Sequence, residues 1–454
     1  PRRIPKRIMP MKNNKRYANA AAGKRRSGTL RARRRRQLFC ILLCFVVCLT
    51  AGWIGYRSLA KTEKPQIVLP TPTPTVAVRD MSQSSSVPAL PFDLYTERYL
   101  ASCSEDDIWM EDFVDTRTPR AVVKGMYQTA NMMEKQMDYI LDLLDTTGLN
   151  AVIFDIKEDN GYLTVRVQSE LLREKGKLDP RISDISKVIN TLKEHNVYCI
   201  ARIVCFRDSV TGVKNPEFAV KKKDGSAFKD GEGHAWLNPF NKDVWEFLVE
   251  IGREAARMGF DEVNFDYCRF ASSKVGDADF GQELTAENKE ATITGFVRYA
   301  CEQLKPMGVF VSADVFGVVL SSAIDAASVG QNYAEMARYL DYICPMVYPS
   351  HYSGGYYNLK VPDAQPYELI LNAMQDSKKK LASNKAKGRC AEVRPWMQAF
   401  TATWVKGHIE YGPEQMTAQL KGVYDAGYTG WLLWNPSGSY SKLKSGLEKP
   451  EDGP

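Results

Sequence analysis

The chain has 454 residues, more than one average domain, whereas a closed (β/α)8 barrel alone takes about 250 or more. Its charge is unevenly distributed. Residues 1–36 hold fifteen of the 61 Lys and Arg residues and no Asp or Glu, which leaves 46 basic against 54 acidic residues in the rest. An Arg-rich tail can bind nucleic acid, but the apolar segment that follows this tail argues against that function, and no nucleic-acid partner is expected.

Residues 37–57 are predicted to be a transmembrane signal-anchor. Leu38 to Tyr56 is a run of nineteen residues without a charge, close to the length that crosses a bilayer core. The preceding arginines place the N-terminal tail, 1–36, in the cytoplasm and the rest of the chain outside. A cleaved signal peptide is the competing interpretation. The apolar run and the basic tail are long for one, however, and no small-x-small cleavage site follows directly.

Residues 58–91 are predicted to be an extended linker, because they are rich in Pro, Thr and Ser (PTPTPT and SQSSSVP). A stalk of this kind suits an enzyme that reaches from the membrane into a cell wall. Residues 92–118 form a transitional segment without an assigned structure. The predicted localisation is therefore the cell membrane, with a single pass and an extracellular catalytic domain.

Residues 119–447 alternate strand and helix through eight rounds, which predicts an α/β fold with a closed (β/α)8 TIM barrel. Glycines between a helix and the next strand, such as Gly259 and Gly308, are typical of helix C-terminal caps. An open doubly wound sheet is the alternative, although the first strand lacks the Gly-rich phosphate loop that such folds usually carry. The predicted strands are 121–127, 151–156, 197–206, 262–267, 309–314, 342–348, 395–400 and 430–434, and the clearest helices 132–144, 185–195, 244–258 and 416–426.

The cysteines and histidines point to no metal site or disulfide scaffold. Three of the ten cysteines lie in the apolar segment, and the other seven are widely spaced with no CxxC pair. The four histidines are scattered and include no HxxxH pair, and no GxSxG nucleophile elbow is present. We therefore expect no metal and no cofactor.

The fourth predicted strand contains the most informative stretch of the chain, from Gly259 to Phe270. Alternation places Val263 and Phe265 on one face and Asn264 and Asp266 on the other. Chemistry in such barrels lies at the carboxyl ends of the strands. Asp266 is therefore a candidate catalytic carboxylate, with Arg269 predicted to keep it ionised. A structural Asp that caps the next helix is the alternative.

The fifth predicted strand ends in a second acid, Asp314, which could instead cap the following helix. Glycoside cleavage needs two carboxyl groups, one to protonate the leaving oxygen and one to act as nucleophile or base. Adjacent strands would bring Asp266 and Asp314 into one cleft, with Asp266 as nucleophile or base and Asp314 as acid or stabiliser. The second strand adds Asp155 and Lys157, predicted on one face to orient a sugar hydroxyl, with a surface salt bridge as the alternative. Its sequence departs from a calcium loop at Lys157 and Asn160.

Aromatic and amide side chains at the ends of strands six to eight suit sugar rings, whose C–H faces stack on aromatic rings and whose hydroxyls need hydrogen-bond partners. Trp396 and Trp431 are equally well explained as core residues. The remaining candidates for substrate binding are Tyr348, His351, Tyr352, Gln398, Trp434 and Asn435.

Six ordered blocks make the barrel region resemble a family of bacterial glycoside hydrolases that was formerly a domain of unknown function and is expected to form TIM barrels. At the fourth strand the family carries an aliphatic residue and a proline where this chain has Cys268 and Ala271. The resemblance implies carbohydrate hydrolysis but no particular substrate. The blocks are Asn150–Gly161, Trp236–Pro239, Gly259–Phe270, Ala313–Gly317, Pro345–Tyr352 and Trp431–Pro436.

The fourth block is also similar to the chitinase signature DGxDxDxE, in which Cys268 takes the position of the catalytic glutamate. A thiol is a poor proton donor to a glycosidic oxygen, so the match does not support chitinase-type chemistry. The sequence predicts a glycoside hydrolase that acts on a cell-wall or capsular polysaccharide. The alternatives are an inactive glycan-binding barrel and, with less support, a metal-dependent polysaccharide deacetylase. The sequence indicates no oligomeric state.

Overall fold

The computed structural model of the protein describes Arg117, residues 122–388 and residues 390–447. The predicted tail at 1–36, signal-anchor at 37–57 and linker at 58–91 lie outside the described residues, as does the 92–118 segment apart from Arg117. Within the described part of the chain, no helix combines the length and the apolar character needed to cross a bilayer.

Eight parallel strands close into a barrel, which confirms the predicted (β/α)8 fold. Each strand pairs in parallel with the next along the chain, and the last pairs with the first through Lys124, Gly125 and Met126. The barrel strands are β1 (Lys124–Gln128), β2 (Ala151–Lys157), β5 (Tyr198–Val204), β7 (Glu262–Asp266), β9 (Phe310–Phe316), β10 (Tyr342–Met346), β12 (Trp396–Gln398) and β13 (Trp431–Trp434). All eight fall at predicted positions, and the doubly wound alternative is wrong.

Five short strands decorate the barrel: β3 (Tyr162–Leu163), β4 (Lys177–Leu178), β6 (Lys221–Lys222), β8 (Ala278–Asp279) and β11 (Glu392–Val393). The strands β3 and β4 extend the sheet beyond β2, and β11 pairs with β10. The strands β6 and β8 form a separate two-stranded antiparallel sheet. These additions lie in the connections, so the closed barrel itself remains regular.

The helices surround the barrel, and several begin at the side-chain caps that their sequences supply. Thr129, Asp184, Asn241 and Thr285 each accept a backbone N–H of the first helical turn. The helices are α1 (Ala130–Lys135), α2 (Met137–Thr146), α3 (Glu170–Lys175), α4 (Ile185–Glu194), α5 (Thr211–Lys214), α6 (Lys242–Arg257), α7 (Ala286–Leu304), α8 (Ala323–Val329), α9 (Tyr333–Met336), α10 (Pro366–Lys380), α11 (Ala382–Ala386) and α12 (Pro413–Asp425).

The alternation of β7 decides what faces the barrel interior. Val263 and Phe265 pack outward in the apolar layer between strands and helices, as predicted. Glu262, Asn264 and Asp266, which are also buried, take the opposite face. Glu262 accepts hydrogen bonds from Arg394 at 3.1 Å and from Ser312 at 2.5 Å. A polar column therefore runs through the barrel interior towards the carboxyl ends of the strands.

Candidate active site

A cavity of about 360 Å³ opens at the carboxyl ends of the barrel strands. Its size falls in the range of small-molecule sites. The loops that follow β7, β9 and β10 supply most of the wall. The lining residues are Asp159, Arg202, Asp266, Tyr267, Arg269, Asp314, Phe316, Gly317, Val318, Gln331, Met346, Tyr348, His351, Tyr352, Trp396 and Trp434. The two leading acids predicted from the sequence thus share one cleft.

Asp314 lies at the cavity floor and is almost fully buried. Its Oδ1 accepts hydrogen bonds from Asn264 Nδ2 at 2.9 Å and from the indole Nε1 of Trp396 at 2.7 Å. Burial and the nearby negative charge of Asp266 raise the pKa of Asp314 to about 8 and outweigh the hydrogen bonds, which lower it. Asp314 is therefore protonated at neutral pH. It accepts hydrogen bonds from side chains on β7 and β12. The helical segments that follow β9 have Phe316 and Ser322 at their N-caps, so Asp314 is not the predicted helix cap.

Asp266 has a different environment, because Arg202 on β5 reaches it directly. Arg202 donates from Nε at 3.0 Å and from Nη2 at 2.5 Å to Asp266 Oδ2. The backbone N–H of Tyr267 lies 2.6 Å from Oδ1. Hydrogen bonds between a guanidinium and a carboxyl group are charge-assisted and fix the orientation of both side chains. Two neighbouring acids thus differ in kind, one neutral and buried among weak donors, the other paired with a guanidinium.

Arg202 also holds the second strand in place. Its Nη1 donates to Asp155 Oδ1 at 2.6 Å, and Nη2 lies 3.2 Å from Asp159 Oδ1. Tyr127 donates to the other oxygen of Asp155 at 2.6 Å. Burial raises the pKa of Asp155 to about 6, although Arg202 acts to lower it. Burial would raise the pKa of Asp159 too, but Arg202 and Arg207 lower it below the usual value.

The guanidinium that donates hydrogen bonds to Asp266 is that of Arg202, while Arg269, the predicted partner, acts on Asp266 through its charge. Arg269 lines the cavity, but its guanidinium lies over the rings of Trp236 at 4.8 Å and Phe316 at 4.4 Å. Its Nη1 donates to the adjacent carbonyl of Phe270 at 3.0 Å. Burial lowers the pKa of Arg269 to about 10. The chain turns sharply after the strand, at a left-handed Tyr267 (φ 50°), and this turn carries Arg269 away from the strand direction.

The predicted pair of Asp155 and Lys157 is not formed. The register along β5 shifts between these two residues, so that strict alternation no longer holds. Lys157 is fully buried; its Nζ lies 2.7 Å from the carbonyl of Val204 and 2.8 Å from Asp208 Oδ2. The predicted alternative, a surface salt bridge, is wrong as well, since this pair is buried. Neither Asp155 nor Lys157 lines the cavity, and Asp155 supports it through Arg202.

Four of the six predicted aromatic and amide candidates line the cavity: Tyr348, His351, Tyr352 and Trp434. The buried hydroxyl of Tyr352 is one of several described polar atoms without a hydrogen-bond partner. A Cβ atom on Gly317 would lie only 2.3 Å from that hydroxyl, so a glycine at this position leaves room for it. Burial lowers the pKa of His351, which favours its neutral form at pH 7.

The other two candidates have structural hydrogen bonds instead. Gln398 donates from Nε2 to Asp363 at 2.9 Å and accepts the backbone N–H of Ser350 at 3.0 Å. Asn435 donates to the carbonyls of Ala399 and Ser439 at 2.8 and 2.7 Å. Both therefore hold loops that border the site. Predicting an amide at a strand end did not distinguish a ligand-facing group from one that ties two loops together.

Sequence reasoning missed Arg202 and the contact made by Trp396. The signal for Arg202 was present, because a single charge interrupts the apolar strand YCIARIV. Trp396 is buried, in keeping with a core residue, yet its indole also donates to Asp314. Cys268, which takes the place of the chitinase glutamate, is fully buried and lies outside the cavity lining. Within the described residues, no group of three or more His, Cys, Asp or Glu side chains is arranged to hold a metal ion.

A family described as "Putative glycosyl hydrolase domain" matches residues 125–440. The chain belongs to this family. The match spans the whole barrel and confirms the resemblance seen in the six sequence blocks. The protein thus contains a glycosyl hydrolase-like domain on a TIM barrel.

Solved structures are similar to this glycosyl hydrolase-like barrel. The glycoside hydrolase domain of PgaB (BpsB) from Bordetella bronchiseptica is 15% identical, with a TM-score of 0.52 over 72% of this chain and 99% of that domain. A hypothetical protein from Ruminiclostridium thermocellum is 36% identical over 42% of this chain and 97% of its own, with a TM-score of 0.38. The Bacillus cereus spore cortex-lytic enzyme SleL is 10% identical over 73% and 74%, with a TM-score of 0.43. No curated protein matches the chain.

Proposed function

We propose that this protein is a glycoside hydrolase that cleaves a cell-wall or capsular polysaccharide by acid/base chemistry. The observation that carries the proposal is the division of labour between two carboxyl groups in one cavity. Burial raises the pKa of Asp314 to about 8, whereas Asp266 accepts two hydrogen bonds from the guanidinium of Arg202. A glycosidase needs one acid and one carboxylate at the same bond, and neighbours of opposite effect are the usual way to obtain them.

In this mechanism Asp314 is the catalytic acid and protonates the glycosidic oxygen as the bond to the anomeric carbon breaks. Asp266 either attacks that carbon or removes a proton from the attacking water. If Asp266 attacks, the glycosyl ester that forms is hydrolysed by a water whose proton returns to Asp314. If Asp266 acts as base, it ends protonated, and proton exchange with solvent returns both groups to their starting forms. Arg202 is a positioning residue, because it orients Asp266 while its other nitrogens engage Asp155 and Asp159.

Sugar recognition would come from the cavity wall. Trp434 lines the cavity and is only partly buried, so its indole is available to contact the C–H face of a pyranose. The unpartnered hydroxyl of Tyr352 provides a donor for a sugar oxygen. His351, favoured in its neutral form, has a nitrogen that can accept from a sugar hydroxyl. These groups suit a neutral, hydroxyl-rich ligand.

The membrane location belongs to the same proposal. It rests on the uncharged run from Leu38 to Tyr56 and on the arginines that precede it. In the proposed arrangement residues 1–36 are cytoplasmic and 37–57 anchor the chain. The linker at 58–91 and the transitional segment at 92–118 then precede an extracellular catalytic domain at 119–447. A tethered barrel of this kind would act on polymers close to the cell surface.

The test is release of reducing sugars by the full-length protein, purified in detergent, from purified peptidoglycan and capsular polysaccharides. We expect Asp266→Asn to lower the rate by about 10³-fold or more while glycan binding persists, because the carboxylate acts in the reaction itself. The control is Asp224→Asn, an exposed acid on a turn. Equal rates for Asp266→Asn and the control would move the chemistry elsewhere. Binding with no turnover by the unmodified protein would favour the glycan-binding alternative, and release of acetate that a chelator abolishes, without release of reducing sugars, would favour the deacetylase.

A further inference from the structure

Trp404 stands out among the described tryptophans, because 68% of its surface is exposed. It follows β12, in the loop that leads to α12. A large exposed ring is costly to leave in water, and aromatic residues at the surface near a cleft commonly mark binding sites.

Two ring contacts connect Trp404 to the cavity. The ring of Trp404 stacks on Phe400 with centroids 5.9 Å apart and planes inclined by 23°. Phe400 in turn meets the ring of Tyr348 edge-on at 6.3 Å. Tyr348 lines the cavity that contains Asp266 and Asp314. A chain of ring contacts thus links the exposed Trp404 to the cavity wall.

The loop that presents this ring is fixed by buried hydrogen bonds. Gln398 Nε2 donates to the carbonyl of Phe400 at 3.1 Å, and the backbone N–H of Tyr411 donates to Thr401 Oγ1 at 3.0 Å. The hydroxyl of Tyr411 donates to the carbonyl of Asp363 at 2.9 Å, and Ala402 is fully buried. An indole held by such a loop loses little conformational entropy when a ligand stacks on it.

We propose that Trp404, supported by Phe400, forms a second sugar subsite that stacks a pyranose ring outside the cleavage cavity. The inference rests on the proposed glycosidase function and sharpens it. A ring bound there belongs to the same chain as the sugar in the cavity, so the ligand is a polysaccharide that extends beyond the cavity. Small glycosides fill only the cavity. The flat indole fits the C–H face of a pyranose, and the exposed surface beside it leaves room for the chain to continue.

The experiment measures binding rather than turnover, so that it does not depend on catalysis. The full-length Asp266→Asn protein is titrated calorimetrically with β-1,4-linked N-acetylglucosamine oligomers of two to six units, a ladder of pyranose chains. Trp404→Ala, Trp404→Tyr and Tyr424→Ala are then made in that background. Tyr424 serves as the control because its exposed ring lies at the amino-terminal side of the barrel, near Lys124.

The hexamer is expected to bind more tightly than the dimer, and Trp404→Ala to weaken hexamer binding by about 3- to 10-fold with little change for the dimer. Trp404→Tyr should restore most of the affinity, and Tyr424→Ala should have no effect. Equal hexamer affinity with and without the indole, or no binding of any oligomer, would overturn the subsite. So would a change in self-association by light scattering without a change in glycan affinity. The comparison of Asp266→Asn with the unmodified enzyme, made separately, judges the cleavage proposal.

Discussion

Replacing Asp314 by Asn separates the catalytic role of this residue from its effect on stability. The amide keeps the Oδ1 acceptor that receives hydrogen bonds from Asn264 and Trp396, and it removes only the titrating proton. If Asp314 is the catalytic acid, turnover should fall by about 10²- to 10⁴-fold. The same variant should be more stable than the parent at neutral pH, because it no longer buries a group that ionises in the unfolded chain.

The magnitude follows from the folded pKa of about 8, which lies above the ordinary value of 3.8. Between these two values the native state holds a proton that the unfolded state has lost. Stability therefore falls as pH rises through this window, by about 1.4 kcal/mol per pH unit from this one group. The contribution of Asp314 to stability is fully present below pH 4 and is lost above pH 8. Asp314→Asn removes this slope, so its advantage should grow by about 1.4 kcal/mol for each pH unit between 5 and 8.

The assay is urea unfolding of parent and variant at pH 5, 6, 7 and 8, followed by tryptophan fluorescence. A difference in unfolding free energy between variant and parent that grows with pH, together with a loss of turnover, would support a buried, neutral acid. A difference that stays constant with pH would refute the reasoning, since it would mean that Asp314 is ionised in the native state. The pH–rate profile of the parent offers a second check, because kcat/KM should decline on the alkaline side near pH 8 as the acid loses its proton.

The remaining predictions concern Arg202 and the anchor. Arg202→Gln should abolish turnover and cost about 3–5 kcal/mol of unfolding free energy, because it leaves Asp155 and Asp266 buried without their cation; urea unfolding should show a much smaller loss for Arg207→Gln, whose partner Asp159 is partly exposed. A loss in Arg202→Gln no greater than in Arg207→Gln would contradict the proposed network. The anchor predicts that detergent but not high salt extracts the protein from membranes, and that protease added to cells whose outer layers are permeable digests the barrel; salt extraction would contradict it.

The fold was predictable because its information is local and repeated. Eight apolar runs separated by amphipathic helices identify a parallel barrel, and helix-capping residues such as Asp184 and Thr285 mark where each helix begins. The two leading acids were predictable for the same reason. A carboxylate at a strand end projects into the only face that all parallel strands share.

The partners of those acids were harder to predict, because they depend on register and on loop geometry. A bulge in β2 placed Lys157 beside Asp208 rather than Asp155, and alternation gives no warning of an inserted residue. Beyond the left-handed turn at Tyr267, the guanidinium of Arg269 lies over the rings of Trp236 and Phe316, and Arg202 donates the hydrogen bonds to Asp266. Gln398 and Asn435 resemble ligand-facing amides in sequence, and only the loops around them show that they serve as ties.

The interior polar column explains how one barrel gives two adjacent acids different hydrogen-bond partners. Asn264 shares its amide between Ser312 at 3.0 Å and Asp314 at 2.9 Å, and so supplies Asp314 with a neutral donor. The column contains two cations. Arg394 donates to Glu262 at the amino-terminal end of β7. Arg202 donates to Asp266 at the carboxyl end of the same strand. Each guanidinium pairs with other carboxylates, and neither forms an ion pair with Asp314. Burial and the charge of Asp266 therefore raise the pKa of Asp314. A cation next to Asp314 would favour its ionised form. The proposed acid therefore depends on the neutral donors Asn264 and Trp396 that surround it.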